Sequence, residues 1–178
     1  DRSPSRGLGD VYKRQVYTPL NNSEKYTLVL MGRADFGLLG SYNKYKQTPF
    51  ETFHVGGDGM TGSYTYATET IGLRGYDNGA LTPYSDGRAY TRFSMELHFP
   101  FLLQPSSTIY GLAFVEGGNA WTSLENFNPF SLKRSAGVGV RIFLPMIGLM
   151  GIDWAYGFDK VQGEKGGGHF HFILGQEF

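Results

Sequence analysis

The sequence predicts an all-β fold, the C-terminal portion of an antiparallel β-barrel whose strands cross a membrane. Three observations carry this expectation. Apolar and polar residues alternate with period two over several segments, the segments are longer than strands of soluble sheets, and their connections are alternately short and long.

Composition narrows the alternatives. The chain has 178 residues, 16 acidic and 16 basic, so its formal net charge is zero. With no basic stripe, nucleic acid is not an expected partner. There are 26 Gly, 12 Tyr and 14 Phe but no Cys. Glycine in that amount without a three-residue period excludes collagen, and the aromatic content argues against disorder. Lack of cysteine fits a bacterial envelope protein and equally many cytosolic ones. No run of about 18 apolar residues occurs, so no membrane-spanning helix is expected. A barrel stays open, because alternating strands give a weak hydropathy signal. No secretion signal is visible, so the barrel reading places the natural N-terminus upstream.

Residues 1–15, DRSPSRGLGDVYKRQ, are polar and aperiodic. They look like the junction sequence that begins many translated environmental fragments, and are expected to be a non-native or disordered leader. The wall is expected to occupy 16–178. A short strand is expected at 16–20. Over 26–38, Tyr26, Leu28, Leu30, Gly32, Ala34, Phe36 and Leu38 share one face, while Arg33 and Asp35 share the other. A second short piece is expected at 50–55. Over 88–100, Ala89, Thr91, Phe93, Met95, Leu97 and Phe99 oppose Arg88, Arg92, Glu96 and His98. The strand at 108–118 is apolar or glycine on both sides, so alternation does not decide its facing. Over 135–144, Ala136, Val138, Val140, Ile142 and Leu144 oppose Gly137, Gly139 and Arg141. Over 150–158, Met150, Ile152, Trp154, Tyr156 and Phe158 oppose Gly151, Asp153 and Gly157. In the last strand, 168–178, Phe170, Phe172, Leu174 and Phe178 oppose His169, His171, Gly175 and Glu177.

These strands run to about nine to thirteen residues, whereas soluble strands average five or six and a tilted membrane-crossing strand needs roughly nine to eleven. Large apolar residues on one face and glycine mixed with charge on the other fit lipid outside and a lumen inside. Connections at 159–168, 118–134 and 54–87 are long, and those at 145–148 and 101–106 are short. That asymmetry would put the short turns and the C-terminus in the periplasm, with the long loops outside. Six or seven strands cannot close a barrel, and an open edge in lipid leaves backbone groups unpaired. A larger parent barrel is therefore expected.

No pattern in the sequence points to an enzyme or a cofactor. His54, His98, His169 and His171 lack helical ligand spacing, and His169 and His171 read as lumen or rim residues rather than a metal site. Asp58, within GGDG, lacks the partners of a calcium loop. The informative stretch is the loop 54–87, since loops beyond about 15 residues are usually functional or disordered. It holds Gly56, Gly57, Gly59 and Gly62, then Leu73-Arg74-Gly75-Tyr76. One arginine among hydrophobes and glycines suggests a compact tip able to enter a confined space, where its guanidinium would need a carboxylate. A surface hairpin with an exposed arginine fits the same composition.

A resemblance bears on that choice. Leu73-Arg74-Gly75-Tyr76 resembles the (V/I)RG(F/Y) signature in the long sixth extracellular loop of the BamA-like family of outer-membrane protein assembly factors. PFETFHVGGDG resembles the family's lead-in to that loop, and SMELHFP its twelfth strand. AFVEGGNAW resembles the thirteenth, SAGVGVRIFLPMIGLMGIDWAYGF the fourteenth and fifteenth, and FILGQEF the closing strand with its terminal aromatic. The match runs in order over about residues 26–178. Leu73 departs from the usual Val or Ile, and the spacer 63–70 is longer than expected.

The resemblance implies a barrel of sixteen strands behind periplasmic POTRA domains, in the bacterial outer membrane. It implies insertion of unfolded β-barrel clients through a lateral seam at the last strand, with membrane lipid and periplasmic accessory lipoproteins as further partners. Phe172, Leu174, Gly175 and Phe178 would form the seam and the C-terminal signal. The loop would fold into the lumen, where Glu116 and Asp153 are the acids available to Arg74. Superfamily relatives that secrete polypeptides or assist autotransporters share these motifs, and a passive porin would also explain the alternation. A soluble β-sandwich would need shorter strands and polar outer faces.

Overall fold

The computed structural model describes residues 8–21, 27–40, 52–59, 68–82, 87–104, 107–146, 148–161 and 167–175. Seven strands form one antiparallel sheet: β1 (Leu8–Pro19), β2 (Val29–Gly40), β5 (Ala89–Gln104), β6 (Ser107–Trp121), β7 (Lys133–Leu144), β8 (Gly148–Gly157) and β9 (Gly168–Leu174), hydrogen-bonded in that order. β3 (Thr52–Val55) and β4 (Thr68–Ile71) form a separate parallel pair inside the long loop. Apart from one 3-10 turn at Leu124–Asn126, no helix occurs among the described residues.

Alternation builds the sheet. On β8, Ile152, Trp154 and Tyr156 are exposed while Asp153, Ala155 and Gly157 are buried; on β9, Phe170, Phe172 and Leu174 are exposed while His171 and Ile173 are buried. On β7, Val138 and Val140 point outward, and Ser135 and Arg141 inward. A soluble sheet buries its large apolar residues and exposes its charges, but here the two are exchanged. The inner polar face is shielded by the long loop. Phe53, Val55, Ile71, Leu73 and Tyr76 from the loop pack on Tyr90 of β5.

Several expectations need correction. Residues 8–15, set aside as leader, belong to β1, which pairs with β2 in unbroken register from Leu8↔Gly40 to Pro19↔Val29. Polar residues with no alternation can still extend a strand once a neighbour offers a complete ladder of backbone partners. The piece at 50–55 is not a wall strand; as β3 it bridges Gly87 from Phe53 and pairs with β4. β5 does not stop at Pro100. A register shift between Pro100 and Leu102 absorbs the proline, and the strand runs on to Gln104, as prolines in sheets do at bulges. β6, whose facing alternation left open, turns Leu112, Phe114 and Glu116 inward and Val115 outward. Gly175 lies just beyond β9, with φ of +76°, so it ends the strand rather than weakening its interior. Phe178, Glu177, Gly166 and Gly62 lie outside the described residues.

Candidate functional site

The tip of the long loop reaches the inner face of the sheet, and Arg74 lies at its end with no exposed surface. The turn that delivers it needs Gly75. Its φ is +87°, and a Cβ there would stand 2.8 Å from the Ser135 Cβ and 3.1 Å from the Gly157 nitrogen. Only a residue without a side chain takes that conformation against the wall at low cost. Leu73 is fully buried beside it, and Tyr76 donates its hydroxyl to the Arg134 carbonyl at 2.6 Å.

Three strands present acids to the guanidinium. Glu116 of β6 accepts from Arg74 Nη2 at 2.6 Å and from Nε at 3.1 Å, and its other oxygen accepts from the Arg74 backbone N–H at 2.9 Å. Asp153 of β8 accepts from Nη1 at 3.0 Å. Glu96 of β5 accepts from Nη2 as well. The Phe114 ring lies under the guanidinium, its centroid 3.5 Å from Cζ, a cation–π contact. Glu116 and Asp153 are thus brought to Arg74. Glu96, assigned to the inner face but not to Arg74, is a third partner that the sequence reading missed.

The pairing extends across the sheet. Arg141 of β7 holds Asp153 at 2.5 and 2.7 Å. Arg92 of β5 donates to Glu116 at 3.2 Å and lies 3.9 Å from Asp35, which Arg33 of β2 binds at 2.8 Å. Ser94 donates to Glu116 at 3.1 Å, and His98 contacts Glu96 at 2.9 Å. Among the described residues, four guanidinium groups (Arg33, Arg74, Arg92, Arg141) face four carboxylates (Asp35, Glu96, Glu116, Asp153). Buried charge on this scale persists only when paired, and removing one member strands its partners.

Glycines make room for it. At Gly139, opposite Asp153 in the β7–β8 ladder, a Cβ would overlap the Asp153 carboxylate. At Gly151 it would meet the Arg141 side chain, and at Gly157 the Tyr76 ring and the Gly75 carbonyl. At the rim, Arg134 binds Asp159 through two side-chain hydrogen bonds of 3.0 and 3.1 Å, and the guanidinium holds that carboxyl below its ordinary range.

The residues assigned to a seam divide. Phe172 and Leu174 are exposed on the outer face of β9, and Gly175 donates its N–H to the Leu149 carbonyl at 2.6 Å. β9 has seven residues, the fewest among the described wall strands, and stands at one end of the described sheet. Among the described residues no group of three or more potential metal ligands occurs. The arrangement is a charged latch that fixes a loop to a wall.

A model of the Omp85 superfamily domain matches residues 10–178 of the chain. Among solved structures, the chain is similar to BamA from Haemophilus ducreyi lacking POTRA domains 1–3, with a TM-score of 0.58 and 20% sequence identity. That similarity covers 92% of this chain and 34% of the other, so the chain spans about a third of the solved structure it matches. At this identity the likeness is one of fold. No curated protein sequence matches the chain.

Proposed function

Because the chain belongs to the Omp85 superfamily, we propose that it forms part of the wall of a bacterial outer-membrane barrel that inserts other β-barrel proteins into that membrane. The observation that carries this reading is the buried Arg74 cluster. A passive pore has no need of a loop tip held by three strands of its own wall, whereas a barrel that must open at one place needs the rest of its wall braced. Arg74 ties β5, β6 and β8 together through one guanidinium.

The seam would lie at the edge of β9 away from β8, where the first strand of a closed barrel would pair; on opening, backbone N–H and C=O groups there can template an incoming strand by β-augmentation. In this reading the partners are unfolded β-barrel clients, membrane lipid and periplasmic accessory lipoproteins. The long loops face outward and the C-terminus faces the periplasm.

Arg74→Ala in the full-length protein tests the reading. Removing one partner of a buried ion cluster costs about 3–5 kcal/mol. The variant barrel is expected to unfold at a lower temperature on a heat-modifiability gel, and the levels of other outer-membrane barrels are expected to drop. Normal barrel levels together with normal heat resistance would refute the role. Normal barrel levels with loss of a secreted polypeptide would assign the chain to the secretion branch instead.

A further inference from the structure

Among the described residues, Arg74 pairs with acids of β5, β6 and β8, and β9 itself, Gly168–Leu174, carries no carboxylate. Among the described residues, two contacts join the loop to β9. His169 approaches Asp77 at 3.2 Å, but the Asp77 side chain is 75% exposed, and such pairs contribute little. The second contact is buried. The Gly75 backbone N–H donates to His171 Nε2 at 3.0 Å, and His171 is 6% exposed.

The direction of this bond fixes the state of the ring. An imidazole nitrogen that accepts a hydrogen bond carries no proton, so His171 is neutral with its proton on Nδ1. Adding a proton at Nε2 would set two N–H donors against each other and leave the buried Gly75 amide without an acceptor. The charged groups around the ring come from every side. Asp153 lies opposite on β8 and is held by Arg74 and Arg141. Glu116 on β6 and Asp58 in the loop add negative charge, and His169 stacks beside the ring on β9 with centroids 6.3 Å apart.

We propose that His171 is a positioning residue whose neutral imidazole clamps the loop tip to β9, so that protonating His171 or displacing β9 frees the tip from β9 while Arg74 keeps its hold on β5, β6 and β8. The mechanistic weight of this clamp rests on the reading of β9 as the seam strand. If that holds, loop docking and seam opening are linked, and linkage between them is reciprocal. The brace would then sense the state of β9, a strand outside the three whose acids Arg74 holds.

Amide exchange of the Gly75 N–H in the full-length protein tests the clamp directly, corrected for the intrinsic dependence on pH. Measurements run from about pH 8 to about pH 4, from above the ordinary imidazole value of about 6.5 to well below it. Wild-type exchange is expected to quicken about tenfold as the pH falls, on the scale of one hydrogen bond lost. His171→Gln supplies an oxygen acceptor that does not titrate, and is expected to keep the amide slow throughout. His171→Phe keeps a planar ring without an acceptor, and is expected to exchange fast throughout. Equal protection in all three proteins overturns the proposal, as does a pH response that survives in His171→Gln. Should His171→Phe fail to fold, the comparison of wild type with His171→Gln still decides. The readout needs no client protein, so a barrel that assembles clients with its seam locked would refute the seam reading and leave the clamp standing.

Discussion

Glycine at position 139 is a side chain removed so that another can be placed. Asp153 serves both Arg74 and Arg141, and its carboxylate occupies the space where a Cβ on Gly139 would lie. Gly139→Ala is expected to push Asp153 off both guanidinium groups and cost about 1–3 kcal/mol, the range for overpacking a closed site. Gly32→Ala is the control, since nothing lies within 4 Å of its would-be Cβ. On a heat-modifiability gel of the full-length protein, Gly139→Ala should unfold at lower temperature and Gly32→Ala should match wild type; equal behaviour would show that the inner-face glycines make no room for the cluster. At this scale the sequence was half legible. Arg74 stood out as a lone cation in a glycine-rich loop and Asp153 as an inward acid, while Glu116 came only with the family resemblance. Glu96, Arg92, Arg141 and His171 could be assigned to a face but not to a partner. Partners across strands depend on register, and register is a property of two segments at once.

β8 shows how far alternation reaches. Its exposed side chains Ile152, Trp154 and Tyr156 and its buried Asp153 follow from the period-two pattern alone. The expected consequence is that Trp154 meets lipid. In the full-length protein with Trp154 kept as its sole tryptophan, brominated lipids should quench Trp154 fluorescence, whereas a water-soluble quencher should have little effect; the reverse would mean that the outer face is not in the bilayer. Ile152→Arg on the same face should cost roughly 2–4 kcal/mol if it lies near the midplane. β6 marks the limit of the method. Glycine and apolar residues on both sides gave no alternation, and the inward choice was made by the loop, whose Arg74 draws Glu116 and Phe114 to the inner face. The end of β5 was misjudged for a related reason: proline stops a regular ladder, but a bulge removes the need for its missing N–H.

For the whole molecule, the proposed seam sets the most demanding prediction. A cysteine in the first strand of the full-length barrel and another near Gly175 would lock the seam when oxidised. The locked protein is expected to stop inserting clients and to recover on reduction; insertion at the normal rate while locked would make β9 a structural strand only. The sequence by itself determined that the chain is a set of long antiparallel strands with one apolar and one polar face, joined by alternately short and long connections. That much is local, because the pleat fixes which residues share a face. It also determined that the long loop is the informative one. Only the tertiary structure decided that residues 8–15 complete a strand, that β3 and β4 pair with each other inside the loop, and that Arg74 gathers acids from three strands while His171 takes the Gly75 amide. Each of these depends on groups far apart in the chain meeting at a set distance, and a one-residue slip in any ladder would turn those side chains to the other face.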